Sequence, residues 1–176
     1  MIFVKKFPGG IHPKYNKELT AGKPIVDMPL PKTVRLLLTQ HLGPPCSPVV
    51  APGDKVAVGQ KIADTDAFVA APIIASVAGE VTAVDAEGID ILTDLDNSGF
   101  SGQKKTYSSP AELRQLIREA GIVGMGGATF PTHVKLTPPE GKSVSTLILN
   151  GAECEPFLTT DHRLMVEQGQ ELVLGI

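Results

Sequence analysis

The chain has 176 residues, of which 42% are hydrophobic and 20% are charged. This composition suits one mid-sized domain or two small ones with a buried core. The formal net charge of −3 argues against a nucleic-acid surface built on bulk positive charge. No apolar run approaches the roughly 20 residues needed to cross a bilayer, and the N-terminus lacks the apolar segment of a secretory signal. We therefore expect a cytoplasmic chain without a membrane span.

The first 31 residues are rich in proline and glycine, which interrupt helices and central strands. This composition predicts an extended segment that wraps around the rest of the chain. His12 precedes a proline and is more typical of a structural hydrogen-bonding residue than of a ligand. The lysines of this segment, including Lys14 and Lys17, are predicted to form a solvated surface.

Residues 32–94 alternate short apolar runs with glycine and proline turns. Closely spaced short strands of this kind are typical of a small sandwich or barrel. The predicted strands cover residues 34–38, 48–50, 55–58, 61–63, 72–77 and 79–84. The polar stretch 95–109 then predicts a linker.

A helix is predicted to follow, with Ser109 as its N-cap, Pro110 at its first position and Gly121 at its end. Its apolar residues recur at helical spacing and form one stripe: Leu113, Leu116, Ile117 and Ala120. This helix leads directly into a glycine-rich loop.

The loop contains Gly124, Gly126 and Gly127 and is followed by Lys135. Backbone N–H groups of glycine can approach a phosphate closely, and a lysine supplies a mobile positive charge. The loop is therefore a candidate phosphate site. Its spacing is not that of the dinucleotide-binding fingerprint, and glycine-rich loops also occur as plain turns, so spacing alone leaves both interpretations open.

A continuously apolar run at 144–149 predicts a buried parallel strand. Polar side chains follow it directly, and ligands of open α/β sheets bind at such strand ends. Asn150 offers a donor and an acceptor to the edge of a heterocycle. Glu153 and Glu155 suit a ligand site, or alternatively a helix cap or the surface. A further helix is predicted from about residue 161 to 173, with its cap at 159–161.

The segments GIVGMGGATFPTHVKL and LILNGAECEP together resemble the flavin-binding segment of the C subunit of the Rnf electron-transport complex. They are more distantly similar to the flavin subunit of respiratory complex I. The resemblance implies that Phe130 and Glu155 lie on the nicotinamide side. Ala152 stands where the complex I pattern has an aspartate, so one flavin contact differs there. The implied contacts of flavin mononucleotide (FMN) are Gly124, Gly126, Gly127, Lys135, Asn150 and Glu153.

Two further stretches extend the resemblance. FPGGIHPKYNKELT is similar to the N-terminal signature of the Rnf family, and GDKVAVGQKIA with APIIASVAGEVTAV resembles the biotinyl/lipoyl-type barrel-sandwich hybrid. The implied fold class is α+β or α/β. An extended segment (1–31), a barrel-sandwich-hybrid β domain (32–94) and a linker (95–109) precede the start of a Rossmann-like FMN/NADH-binding domain (110–176). The stretch DTDAFVAAPIIAS has no carrier lysine, which disfavours covalent biotin or lipoate.

By resemblance, the chain is expected to be a fragment of a subunit that moves electrons between NAD(H) and iron–sulfur clusters or ferredoxin through FMN. That subunit would act with other subunits of a membrane complex, peripherally at the cytoplasmic face. Cys46 and Cys154 form no cluster motif, so 4Fe–4S clusters are expected only in a missing C-terminal part, and the fragment is expected to be inactive alone. The alternatives are a non-catalytic docking module and a related subunit that feeds another reductase.

Overall fold

A computed structural model describes residues 11, 13–96 and 105–176. His12 and the central part of the predicted linker lie outside the described residues. Contacts divide the chain into two compact units, which are described separately. The larger unit is Pro29–Ser145, and the smaller joins Met1–Met28 to Thr146–Ile176. The domain boundaries expected from the sequence remain predictions.

The larger unit contains two antiparallel sheets, which together we call the barrel. One has the strand order β1-β7-β6-β3, and the other has the order β2-β4-β5. The strands predicted from the sequence are present, although three of them have only two residues. In the described residues the strands are β1 (Thr33–Leu37), β2 (Ser47–Pro48), β3 (Lys55–Val56), β4 (Lys61–Asp64), β5 (Ile73–Ile74), β6 (Gly79–Val84) and β7 (Gly88–Thr93).

Strand β7, which was not among the predicted strands, is central to the four-stranded sheet. It pairs with β1 on one side and with β6 on the other. Ile89 and Ile91 are completely buried on its inner side. They pack with Ile62 of the second sheet and Val81 of β6 in one apolar core. Because both sheets contribute to this core, their apolar inner faces are buried against each other.

The outer face of β1 and β7 carries an ion-pair cluster around Arg35. Its guanidinium donates hydrogen bonds to the carboxylates of Asp85, at 2.7 and 2.8 Å, and Asp90, at 3.0 and 3.1 Å. Asp85 also accepts hydrogen bonds from the backbone amides of Glu87 and Gly88 in the β6–β7 turn. The Arg35 hydrogen bonds, followed by those from the turn, lower the pKa of Asp85 from 3.8 to about 2.

We expect replacement of Asp85 by asparagine to make stability less sensitive to acid. A carboxylate with a lowered folded-state pKa stabilises the fold fully above its unfolded pKa, and this stabilisation is lost as the pH falls from 3.8 towards 2. Urea unfolding of the wild type and of Asp85→Asn at pH 7, 4 and 2.5 would measure the effect. The difference in unfolding free energy between the wild type and Asp85→Asn should shrink across that window. Glu80→Gln, at an exposed position of β6, is the control, and its unfolding free energy should differ little from that of the wild type at each pH. If the difference between wild type and Asp85→Asn did not change with pH, the pKa of Asp85 would not be lowered in the folded protein.

Helix α1 (Pro110–Glu119) begins as predicted. The Ser109 hydroxyl accepts a hydrogen bond from the Glu112 amide at 3.2 Å, and Pro110 occupies the first turn. Gly121 directly follows the C-cap, Ala120, with a φ of +67°. Glycine adopts this left-handed conformation without the strain that a Cβ would cause.

An ion-pair network, which we call the helix–barrel network, joins α1 to the barrel and consists of Lys61, Asp64, Arg118 and Glu119. Lys61 donates to Asp64 and to Glu119, both at 2.7 Å. Arg118 donates to Asp64 at 3.0 Å and to the Thr65 carbonyl at 2.6 Å. The hydrogen bond from Lys61 lowers the pKa of Glu119, and the hydrogen bonds that Lys61 donates to Asp64 and then to Glu119 raise the pKa of Lys61. The network thereby places the helix that leads into the glycine loop.

The smaller unit is helical. It contains a 3-10 helix (Lys17–Leu19), α3 (Thr160–Glu167) and α4 (Gly169–Gly175). The helix predicted over 161–173 is therefore split at Gln168, next to a glycine, the residue that most weakens a helix apart from proline. In the described residues no helix combines the length and the apolar character needed to cross a bilayer.

The buried strand predicted at 144–149 is wrong. The described chain contains no strand there, and Val144 and Ile148 are 69% and 83% exposed. An apolar run becomes a buried parallel strand only where neighbouring strands bind its backbone groups. All strand pairings of the described residues are antiparallel and belong to the barrel.

Candidate functional site

The glycine-rich loop is closed at its base by backbone hydrogen bonds. Val123 and Pro131 form an isolated antiparallel bridge. The Gly124 amide donates to the Phe130 carbonyl at 2.8 Å, and the Thr129 amide donates to the Gly126 carbonyl at 3.0 Å. These bonds give a defined shape to a loop that the sequence alone left open to interpretation as a plain turn.

The tip of the loop is accessible. Gly126 and Gly127 are exposed, and a Cβ added to either glycine would meet no atom within 4 Å. Within the described part of the chain, neither amide donates a hydrogen bond. Exposed backbone N–H groups without a protein acceptor are the donors that bind phosphates in glycine-rich loops. The tip therefore fits an anionic group.

A short helix that was not predicted from the sequence, α2 (Thr132–Lys135), places a cation against this loop. The Thr132 amide donates to the Ile122 carbonyl at 3.1 Å, which joins the start of the helix to the entry of the loop. The ammonium of Lys135 lies against Gly124, where an added Cβ would come within 2.5 Å of Nζ. A side chain at Gly124 would therefore occupy the position of the ammonium.

Phe130 contributes to the loop through its backbone. Its carbonyl accepts the Gly124 hydrogen bond, and its side chain is half-buried. The structure thus brings Gly124, Phe130 and Lys135 together. The stacking role expected for the Phe130 ring remains a prediction.

The remaining predicted site residues belong to the smaller unit. The Asn150 side-chain oxygen accepts a hydrogen bond from the Ala152 amide at 3.0 Å. Glu153 accepts one from the His162 amide at 3.0 Å, in the first turn of α3. Glu153 therefore acts as a cap for α3, which is the alternative role considered from the sequence. The side chain of Glu155 is exposed.

Sequence reasoning missed the residues that hold this acidic segment in place. Lys17 was predicted to lie on a solvated surface, but its ammonium donates to the carbonyls of Leu158 at 2.7 Å and Glu155 at 3.3 Å. The Thr20 hydroxyl donates to the Phe157 carbonyl at 2.6 Å. Phe157 has a φ of +68°, a strained value for a residue with a side chain. No local signal marked Lys17 for this role, because its partners lie 138 and 141 positions away in the sequence.

Two antiparallel sheets around one core form a small barrel, and a glycine loop with accessible amides and a neighbouring ammonium follows it in the chain. Residues 5–95 match the family model of the RnfC barrel sandwich hybrid domain, and residues 117–176 match that of the Nuo51 FMN-binding domain. The first match covers more than half of the chain. The chain therefore belongs to the RnfC family. The expected fold class, with a barrel-sandwich hybrid before an FMN-binding region, is confirmed.

Similar proteins bear names consistent with this assignment. The chain is 46% identical to the C subunit of the proton-translocating ferredoxin:NAD(+) oxidoreductase complex of Clostridium ljungdahlii, with 98% of the chain and 41% of the relative aligned. It is 42% identical to the C subunit of the Na(+)-translocating ferredoxin:NAD(+) oxidoreductase complex of Acetobacterium woodii, over 97% of the chain and 41% of the relative. The C subunit of an ion-translocating oxidoreductase complex of Rhodobacter capsulatus is 41% identical, over 96% and 35%. The chain thus spans less than half the length of these relatives.

Proposed function

We propose that this chain supplies the phosphate-binding part of an FMN site in a subunit that transfers electrons between NAD(H) and ferredoxin. The observation that carries the proposal is the Lys135 ammonium beside Gly124, at the base of an exposed glycine loop. This loop lies inside the region that matches an FMN-binding domain model. The phosphate would bind the amides of Gly126 and Gly127 and the Lys135 ammonium.

The charges of the other candidate residues support the same position for the phosphate. A phosphate close to Glu153 and Glu155 would be repelled by their carboxylates. We therefore assign these acids, with Asn150, to the ring and ribose end of bound FMN. At that end, Phe130 and Glu155 would lie on the side that faces the nicotinamide. When bound, FMN supplies the chemistry that links two-electron and one-electron transfer, while the protein supplies position and electrostatics.

The whole subunit's partners follow from the same proposal. Its relatives are named as subunits of ion-translocating ferredoxin:NAD(+) oxidoreductase complexes. We infer that the protein acts peripherally at the cytoplasmic face of the membrane, with other subunits of such a complex. NADH and ferredoxin would be its redox partners, and 4Fe–4S clusters would lie outside this sequence.

Removal of the Lys135 ammonium should weaken the binding of FMN but not of riboflavin, which lacks the phosphate. A charge-assisted hydrogen bond contributes enough that we expect Lys135→Ala to raise the Kd of FMN about tenfold. Quenching of flavin fluorescence on titration of the flavin-free, full-length protein would measure both affinities. Lys142→Ala, which removes another exposed lysine of the same unit, is the matched control and should change neither affinity.

A second variant tests the position of the ammonium as well as its presence. In Gly124→Ala the new Cβ would displace Lys135 Nζ, the far end of a flexible side chain, so the fold should tolerate the change. We expect this variant to lose affinity for FMN in the same way as Lys135→Ala. Unchanged FMN affinity in both variants would contradict the phosphate assignment.

A non-catalytic docking role is the second candidate, and the barrel favours it. The barrel has its own core, and its 64–76 stretch has no lysine for a carrier function. The two candidates differ in one simple observable, the visible absorbance of the purified full-length protein. A flavin spectrum supports the first candidate, whereas a colourless protein that takes up no added FMN supports docking alone. An intact mass equal to that of the polypeptide would dismiss a covalent biotin or lipoate.

A further inference from the structure

The barrel loop of residues 65–71, which we call the tip loop, is held by the helices on either side of the glycine loop. Its stretch corresponds to the place where carrier proteins of similar fold present a modifiable lysine, and it contains none. Helices α1 and α2 bind this loop instead. Arg118 of α1 donates to the Thr65 carbonyl at 2.6 Å, and the His133 ring of α2 is 3.0 Å from the Phe68 carbonyl through Nε2.

His133 connects α2 to the tip loop. Its residue exposure is 6%, and its ring meets the Phe68 ring edge to face at a centroid distance of 5.9 Å. A carbonyl oxygen only accepts hydrogen bonds, so Nε2 is the donor in this contact. The other ring nitrogen, Nδ1, is buried and has no hydrogen-bond partner among the described residues. The hydrogen bond from Nε2 to the Phe68 carbonyl is therefore the polar contact that holds the ring in place.

The same short helix carries the proposed phosphate ligand. His133 and Lys135 both lie in α2, which has only four residues, Thr132–Lys135. The Lys135 ammonium in turn rests against Gly124, whose amide is held by the Phe130 carbonyl. A continuous set of contacts thus runs from the tip loop through His133 to the ammonium. A helix this short has little stability of its own and depends on such tertiary contacts.

We propose that His133 is a positioning residue for the flavin phosphate: by binding the tip loop, it holds α2 so that the Lys135 ammonium lies at the glycine loop. This inference rests on the proposed function, because it concerns the same phosphate site. It gives the barrel a defined part in that site, since the tip loop supplies the surface on which the cation-bearing helix is held.

The variants follow from the chemistry of the ring. His133→Leu removes the Nε2 donor and also removes the buried Nδ1 atom, which has no partner among the described residues, so the fold should tolerate it. The substitution leaves the Phe68 carbonyl without its donor, but Phe68 is 62% exposed, so water can replace that donor. His133→Asn is too short to bind Phe68, and His133→Gln keeps an N–H donor near the Nε2 position. His162→Gln, at an exposed histidine of the smaller unit, is the matched control.

The readout is the phosphate preference, the Kd of riboflavin divided by the Kd of FMN, measured with the flavin-free, full-length protein. Loss of one hydrogen bond that positions the ammonium should lower this ratio about three- to tenfold in His133→Leu and His133→Asn. His133→Gln should restore most of the ratio, and His162→Gln should leave it unchanged. In a Lys135→Ala background, His133→Leu should have no further effect on the ratio.

The outcomes separate this inference from the proposal on which it rests. If Lys135→Ala lowers the phosphate preference but His133→Leu and His133→Asn do not, the positioning role is overturned and the FMN site stands. If the wild type binds FMN no better than riboflavin, both are overturned. A merely structural role would weaken riboflavin and FMN binding equally, leave the ratio unchanged and count against the inference. Where the leucine variant does not fold, the asparagine variant decides by the same ratio.

Discussion

Replacement of Gly79 by alanine should destabilise the barrel by about 3 kcal/mol, at the upper end of what overpacking usually costs. Gly79 lies at the start of β6, opposite Thr93 of β7. A Cβ at this position would overlap the Leu92 carbonyl oxygen and lie 2.9 Å from the carbonyl carbon. Because these atoms belong to the backbone of the central strand, they can move only if the pairing of β6 with β7 is disturbed.

Chemical denaturation of the full-length protein, monitored by circular dichroism, would measure the loss in unfolding free energy. Gly126→Ala is the matched control for stability, since its Cβ would meet no atom within 4 Å. Equal stability of the two variants would show that the barrel accommodates a side chain at Gly79. The described packing of β6 against β7 would then be wrong at this point.

Replacement of Arg118 by methionine should destabilise the larger unit by about 2 kcal/mol, because it breaks a half-buried ion-pair network at its best-shielded member. The Arg118 side chain is 16% exposed and that of Asp64 is 24% exposed. Methionine keeps most of the apolar contact of the side chain. It leaves Asp64 with one cation, Lys61, and leaves the Thr65 carbonyl without its Arg118 donor. Helix α1 should then separate from the barrel more readily than the barrel itself unfolds.

Hydrogen exchange of the α1 amides, together with denaturant unfolding, would measure this effect. Arg114→Met is the matched control, because it removes an arginine from the same helix that makes no ion pair among the described residues. We expect faster exchange in α1 for the Arg118 variant and little change for the control. Equal exchange in both variants would mean that the helix–barrel network does not hold α1.

Features set by short stretches of sequence were predicted well. The start of α1 needed only a hydroxyl, a proline and a glutamate within four residues, and the structure shows the Ser109 cap. The glycine loop was found for a similar reason, since glycine is the residue that leaves backbone amides accessible. The alternation of Ile89 and Ile91 with polar Asp90 is a strand signal of the same local kind, although β7 was not among the predicted strands.

Features that depend on a distant partner were missed or misread. The apolar run at 144–149 has the composition of a buried strand, but no described strand pairs with it. Lys17 is an ordinary surface lysine by its neighbours, yet its ammonium binds Leu158, which is 141 positions away. The resemblance implies that Glu153 contacts the flavin, and only the structure shows that its carboxylate also accepts a hydrogen bond from the first turn of α3.

The sequence by itself determined the six predicted barrel strands, the capped helix and the position of the glycine loop, because these follow from backbone preferences and side-chain size over a few neighbouring residues. Only the tertiary structure decided where the charges act. Lys135 reaches Gly124 because α2 forms beside the loop, and His133 meets Phe68 across 65 positions of sequence. Such contacts depend on how separate elements pack, since the same residue types can be solvated, structural or ligand-binding according to what lies opposite them.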